Sequence, residues 1–262
     1  MKLFIGRIVW RQEETQHVRS MLQLYRYLDA RHIDFTDGTV PGDALVSRSR
    51  SIVASAFLRS DADVLVTIDT DIVFRPEDVV TMAEKAGRYG MIGAVYMTRN
   101  IATQPALMLP ESPVTFGPGR EPVEAPYIST GFTATHRRVF ERLAKDLPLC
   151  HRGWNDRGID TSFYPFYLPM VVPNDSEGHW YLSEDWAFCE RAKQAGFSCW
   201  IDPSIRLGHI GSYQYHLEDL VRPERIEPTP LRLTRADDGT LSTDVLTQPV
   251  LATATTASGR ND

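Results

Sequence analysis

The first hundred residues alternate between short apolar runs and amphipathic stretches. Lys2 to Val9 is apolar-rich and predicts a first strand. Gln12 to Asp29 places Val18, Met21, Leu22, Tyr25 and Leu28 on one face of a 3.6-residue period, which predicts a helix. Ile33 to Phe35 predicts a second strand, ended by Asp37-Gly38. Asp43 to Leu58 predicts a second helix, with Leu45, Ile52, Val53 and Ala56 apolar and Arg48 and Arg50 on its other face. Ala62 to Ile68 is β-branched and apolar, as a strand buried on both faces requires. Pro76, Glu77 and Asp78 suit the first turn of a third helix, which stops at Gly87. Met91 to Tyr96 predicts the next strand. The order β-α-β-α-β-α-β implies an α/β fold, with a mostly parallel central sheet and helices on both faces.

The middle of the chain breaks this rhythm. Six prolines fall between Pro105 and Pro126, with Gly117 and Gly119 among them, and only Ala106 to Leu109 reads as a strand there. Order resumes with a strand over Tyr127 to Thr135 and a helix over Arg137 to Ala144. His151 to His179 is irregular and aromatic-rich. Ser183 to Ala195 predicts a helix, and Phe197 to Ile201 a strand. Three segments follow from this pattern: a domain over 1–221, a C-terminal extension over 222–246 with a hairpin around Asp237-Asp238-Gly239, and a disordered tail over 247–262.

Composition narrows the function classes. The chain has 262 residues, 42% hydrophobic and 24% charged, which excludes wholesale disorder. Its net charge of −6 argues against broad binding to a nucleic-acid backbone. No apolar stretch approaches the ~20 residues of a membrane-spanning helix. The N-terminus lacks the apolar core of a signal peptide, so a cytoplasmic location is expected. Cys150, Cys189 and Cys199 form neither a disulfide framework nor a zinc-ligand spacing and are expected to be buried thiols.

Three polar signals sit at the ends of apolar elements. Asp69-Thr70-Asp71 ends the buried strand, at the edge where open α/β sheets bind ligands. Paired carboxylates there suit a hard cation such as Mn²⁺ or Mg²⁺ with phosphate co-ligands; solvated turn residues are the plainer reading. Ser183-Glu184-Asp185 opens a helix. Capping and the helix dipole account for these residues fully, while a general base at Asp185, with Glu184 beside it on the substrate, is the functional reading. His209 lies between Gly208 and Gly211; imidazole is a serviceable Mn²⁺ ligand, although a lone histidine is more often structural.

In this order the segments 64–78, 181–196 and 200–209 resemble the nucleotide-sugar glycosyltransferases of the GT-A fold, of family 2 type. Tyr127 to Ala134, with Gly131, is similar to that fold's acceptor-side strand. The resemblance covers roughly residues 1 to 215. It implies a GT-A-like, Rossmann-like sheet with variable acceptor loops, here 98–126 and 148–180. Asp69 and Asp71 would be the DxD motif, holding metal and donor, with His209 as a later metal ligand. Asp185, with Glu184, would serve the acceptor hydroxyl, and Arg50 would reach the nucleotide or diphosphate. The implied activity is metal-dependent transfer of a hexose-type sugar from a nucleoside diphosphate donor, UDP first, to a hydroxyl. The acceptor is left open among saccharide, small molecule, protein and modified base.

Two other classes compete. A haloacid dehalogenase-type phosphotransferase would use Asp69 as nucleophile and Asp71 as acid/base, but the motif lies late in the chain and Ile72-Val73 follows it. A non-catalytic sugar- or nucleic-acid-binding module would use Trp154, Phe163, Tyr164, Phe166, Tyr167 and Trp180 for stacking; packing beneath a long loop is the ordinary role of such residues.

Overall fold

The computed structural model describes residues 1–99, 104–151, 162–174, 178–221, 231–235 and 241–245. The N-terminal half contains β1 (Leu3–Val9), α1 (Thr15–Ala30), β2 (Phe35–Pro41), α2 (Val46–Arg59), β3 (Val64–Asp69), β4 (Ile72–Val73), α3 (Pro76–Tyr89) and β5 (Met91–Gly93). There follow β6 (Leu107–Met108), β7 (Val123–Ala125), β8 (Tyr127–Ile128), β9 (Phe132–His136), α4 (Arg137–Ala144), β10 (Cys150–His151) and β11 (Ser162–Phe163). The hairpin β12 (Met170–Asn174) and β13 (Gly178–Leu182) leads into α5 (Glu184–Gln194), then β14 (Cys199–Ile201), β15 (Gly208–Ile210) and β16 (Gln214–Tyr215).

The central sheet has seven strands in the order β2-β1-β3-β9-β5-β14-β7. Strands β2, β1, β3, β5 and β14 run one way, and β9 and β7 run against them. Helices α1 and α3 pack together on one face, over Leu3, Ile5, Val66 and Ile68. Helices α2, α4 and α5 cover the other, over Phe4, Leu65, Phe140 and Phe188. Alternate residues of β1 and β3 therefore enter opposite cores, as the two-residue strand period requires. A three-stranded sheet, β16-β15-β4, stands at the edge where β3 ends. Residues 1–220 form one compact unit and residues 221–262 a second. In the latter, β17 (Leu231–Arg235) and β18 (Leu241–Val245) form an antiparallel pair; the tail over 247–262 lies outside the described residues.

Several boundaries differ from the pattern-based expectation. The second strand does not stop at Asp37-Gly38 but runs to Pro41, because Gly38 lies opposite Gly6 in a parallel ladder along β1. A Cβ at Gly38 would stand 2.2 Å from the Phe4 ring, so this glycine is a packing residue and not a turn. Helix α3 passes Gly87 and ends at Gly90, whose φ of 80° is the left-handed conformation that glycine tolerates. The run from Tyr127 to Thr135 is broken at Ser129–Gly131 into β8 and β9. Of the cysteines, Cys189 and Cys199 are buried and Cys150 is only half-buried. Phe163, Phe166 and Tyr167 are buried, Trp180 is exposed, and Trp154 is outside the described residues.

Candidate active site

Because β9 runs opposite to β3, the turn that enters β9 lies at the edge where β3 delivers Asp69. The Asp69 amide donates to the Gly131 carbonyl at 2.8 Å. Two residues further in along β3, the Thr67 hydroxyl lies 2.8 Å from the Thr130 carbonyl, to which it donates, and 2.6 Å from the Thr133 hydroxyl. The backbone approach at Gly131 leaves no room for a side chain. A Cβ there would stand 2.4 Å from the Tyr96 hydroxyl and 2.6 Å from Asp69 Oδ2. Gly131→Ala is therefore expected to destabilise the protein by about 1–3 kcal/mol through overpacking and to displace the Asp69 carboxylate. Denaturant unfolding checks the first effect, and nucleotide binding by the folded variant checks the second.

Arg50 is the centre of the site. It projects from α2 and is 5% exposed, whereas Arg48 is partly exposed and pairs with Asp43 at 2.7 Å. Arg50 Nη1 and Nη2 each donate to the Asp69 carboxylate at 3.0 Å, a fork that fits both carboxylate oxygens. Nη1 also reaches the Thr130 carbonyl at 3.3 Å, and Nε lies 3.5 Å from Asp185 Oδ1. The Thr130 hydroxyl donates to the same Asp185 oxygen. One guanidinium thus bridges a strand-end carboxylate and a helix-start carboxylate. These two anions hold Arg50 charged despite burial and keep its pKa well above the usual value.

Asp185 stands in the first turn of α5, behind the N-cap Ser183. Glu184 is half-buried next to it. Burial, then the neighbouring Asp185 charge, raise the Glu184 carboxyl pKa. Tyr96 is buried, and burial followed by the Asp69 and Asp185 charges raises its hydroxyl pKa well above normal. Its ring meets the His209 ring edge-on at 5.0 Å.

Asp71 and His209 form the other half of the site. Strand β15 pairs antiparallel with β4, His209 opposite Ile72, and the Ile210 amide donates to the Asp71 carbonyl at 2.8 Å. This brings His209 Nε2 to 3.4 Å from Asp71 Oδ2. His209 Nδ1 lies 2.6 Å from the Met97 carbonyl. A carbonyl only accepts, so Nδ1 carries the hydrogen, and Nε2 is the ring nitrogen turned to the carboxylate. An imidazole nitrogen and a carboxylate oxygen at this separation can share a cation, and the Arg99 guanidinium already stands 2.8 Å from Asp71 Oδ2. Asp71 Oδ1 is moreover buried without a hydrogen-bond partner. These two side chains fit a divalent cation, with an imidazole oriented through its other nitrogen as metal-binding histidines are. Asp69, by contrast, has its carboxylate engaged by Arg50. Among the described residues no group of three His, Cys, Asp or Glu side chains surrounds one point, so remaining ligands would come from substrate or water.

Asp69 and Asp71 open onto a cleft of about 560 Å³. Ile8 and the exposed Trp10 line it together with Arg50, Asp69, Asp71 and Arg99. All six residues singled out by sequence reside at this edge of the sheet. Sequence reasoning missed Thr130, Tyr96 and Arg99. Only the glycine of Ser129-Thr130-Gly131 gave a signal for that turn. Tyr96 was hidden at the end of an apolar run.

Neither a protein-family profile nor a curated protein matches the chain. Solved structures do. A197 from STIV is similar at a TM-score of 0.49 and 15% identity, with 95% of each chain covered. A Drosophila beta-1,4-galactosyltransferase 7 mutant, crystallised with manganese, UDP-Gal and xylobiose, is similar at a TM-score of 0.42 and 10% identity, covering 95% of this chain and 96% of that one. GalNAc-T7 with UDP, GalNAc and Mn²⁺ is similar at 0.42 and 11% identity; the match covers 80% of this chain but 44% of GalNAc-T7. The fold is α/β, with a mostly parallel seven-stranded central sheet and helices on both faces. Among the described residues no helix is long and apolar enough to cross a membrane.

Proposed function

We propose that this chain is a metal-dependent glycosyltransferase that moves a sugar from a nucleoside diphosphate donor, UDP-sugar first, to an acceptor hydroxyl. The observation that carries this reading is the junction made by Arg50. It ties Asp69, at the mouth of the nucleotide-sized cleft, to Asp185, on the helix that would face the acceptor. Donor and acceptor functions then meet across one buried guanidinium.

The cleft offers Ile8 and Trp10 as an apolar wall for a nucleobase and its acidic end for ribose and diphosphate. Asp71 and His209 would hold Mn²⁺ or Mg²⁺, which when bound supplies Lewis-acid charge to the departing diphosphate. Asp185 would accept the acceptor's hydroxyl proton as that oxygen attacks the anomeric carbon. The bond from that carbon to the diphosphate oxygen breaks, and its electron pair leaves with the phosphate. Thr130 and Arg50 fix the Asp185 carboxylate, which leaves its second oxygen for the proton. Glu184, made less acidic by its surroundings, would hold a further substrate hydroxyl.

The phosphotransferase alternative finds no support in the geometry. Its nucleophile, Asp69, is clasped at both oxygens by Arg50, and the Lys85 ammonium is committed to Asp202 at 2.6 Å.

The direct test is thermal stability with UDP, GDP, CDP, dTDP and ADP, each with and without Mn²⁺. A ligand at 100 times its Kd adds about 2.7 kcal/mol, a rise of roughly 2–4 °C per kcal/mol in a domain of this size. The expected result is a rise that needs one nucleotide and metal together. In Asp71→Asn that joint rise is expected to vanish, with the unliganded melting temperature within a few degrees of the parent. A joint rise undiminished in Asp71→Asn would remove Asp71 from the metal assignment.

A further inference from the structure

The two arginines of the site are held in opposite ways. Arg50 is 5% exposed and clasped on two sides. The Arg99 side chain is about half exposed at the mouth of the same cleft, and its Nη1 lies 2.8 Å from Asp71 Oδ2. The same nitrogen donates to the Ile210 carbonyl at 3.3 Å. Its stem has a fitted seat, for a Cβ on Gly211 would stand 3.0 Å from Arg99 Cδ and 3.2 Å from Cγ. Arg99 therefore contributes positive charge at the place where Asp71 Oδ2 and His209 Nε2 face each other.

We propose that Arg99 is a tethered counter-cation: it occupies the Asp71–His209 pair in the nucleotide-free protein and transfers to the donor's diphosphate when the nucleotide binds. The proposal rests on the reading of Asp71 and His209 as cation ligands. A planar guanidinium suits a diphosphate at least as well as a single carboxylate oxygen. A half-exposed ion pair is also weak enough to exchange. The consequence is an order of binding. A divalent cation alone competes with Arg99 for Asp71, whereas the nucleotide draws Arg99 away and frees the carboxylate. Nucleotide and metal then strengthen each other, by the same factor in either order of addition.

Electron paramagnetic resonance titration of Mn²⁺ into the parent protein and Arg99→Gln, with and without UDP, tests this without an activity assay. Without UDP, Arg99→Gln is expected to bind Mn²⁺ about tenfold more tightly, equivalent to about 1.4 kcal/mol. Without metal, the same variant is expected to bind UDP several-fold more weakly by calorimetry. The gain in Mn²⁺ affinity produced by UDP is expected to shrink. Measurable Mn²⁺ binding that is equal in the two proteins overturns the proposal while leaving the metal site intact. No Mn²⁺ binding in either protein, even with UDP, overturns the metal reading and this proposal with it.

Discussion

Replacing Asp185 with Asn is expected to lower sugar transfer by about 10²- to 10⁴-fold, the usual worth of a positioned general base, while UDP and Mn²⁺ bind as before. The two effects separate because of where Asp185 stands. It touches Thr130 and approaches Arg50 through one oxygen, Oδ1. An asparagine keeps an oxygen for both partners, so the framework around Asp69 should persist. What it loses is a carboxylate able to accept the hydroxyl proton. The check is turnover with an acceptor that sustains the parent protein, alongside calorimetry of UDP with Mn²⁺. A variant that keeps more than a tenth of the parent rate would remove Asp185 from proton transfer. Equal losses in turnover and in donor binding would instead point to a broken framework.

Replacing Arg50 with Met should be costly in a different way, by about 3–5 kcal/mol of folding stability. Methionine fills much of the space but leaves the Asp69 and Asp185 carboxylates facing each other without their shared counter-charge. It also removes the donor that reaches the Thr130 carbonyl. The loss arises from charges left stranded, so it should be partly recovered when one of them is neutralised. The double variant Arg50→Met/Asp69→Asn is expected to be more stable than Arg50→Met alone. Arg50→Lys should fall between parent and Met, since an ammonium restores charge but not the two-point clasp. Urea unfolding of the set measures the coupling directly. A cost below about 1 kcal/mol for Arg50→Met, typical of an exposed ion pair, would show that water already screens these carboxylates.

How far the sequence reveals this site depends on the residue in question. Asp69 and Asp71 are legible because they follow an uninterrupted apolar strand, and the end of such a strand is where a parallel sheet exposes its chemistry. Asp185 is legible from the capping pattern of α5, although capping alone would explain it. His209 is legible from its glycine neighbours, but its partner is not: only the pairing of β15 with β4 brings it to Asp71. Arg50 shows the limit of pattern reading. It falls opposite Leu45, Ile52 and Ala56, yet the buried stripe of α2 is Val53, Ala54 and Phe57, three, four and seven residues further on, so Arg50 shares the inward face and meets there two carboxylates distant in sequence. Arg99 and Thr130 depend wholly on tertiary contacts. The fold class is legible because alternation of apolar runs and amphipathic stretches leaves few topologies open. The reversal of β9 is not, since a strand buried on both faces looks the same in either direction.

That reversal couples the packing of the sheet to the arrangement of the candidate site. Strand β9 is hydrogen-bonded to β3 on one side and to β5 on the other, with Thr133 opposite both Thr67 and Gly93. A slip of one residue would turn Phe132, which is wholly buried, onto the wrong face. It would also carry Thr130 away from Arg50 and Asp185. Correct assembly of the sheet and correct alignment of Asp69, Thr130, Arg50 and Asp185 are therefore linked. The pairing that buries Phe132 is thus the same pairing that sets Thr130 against Arg50 and Asp185.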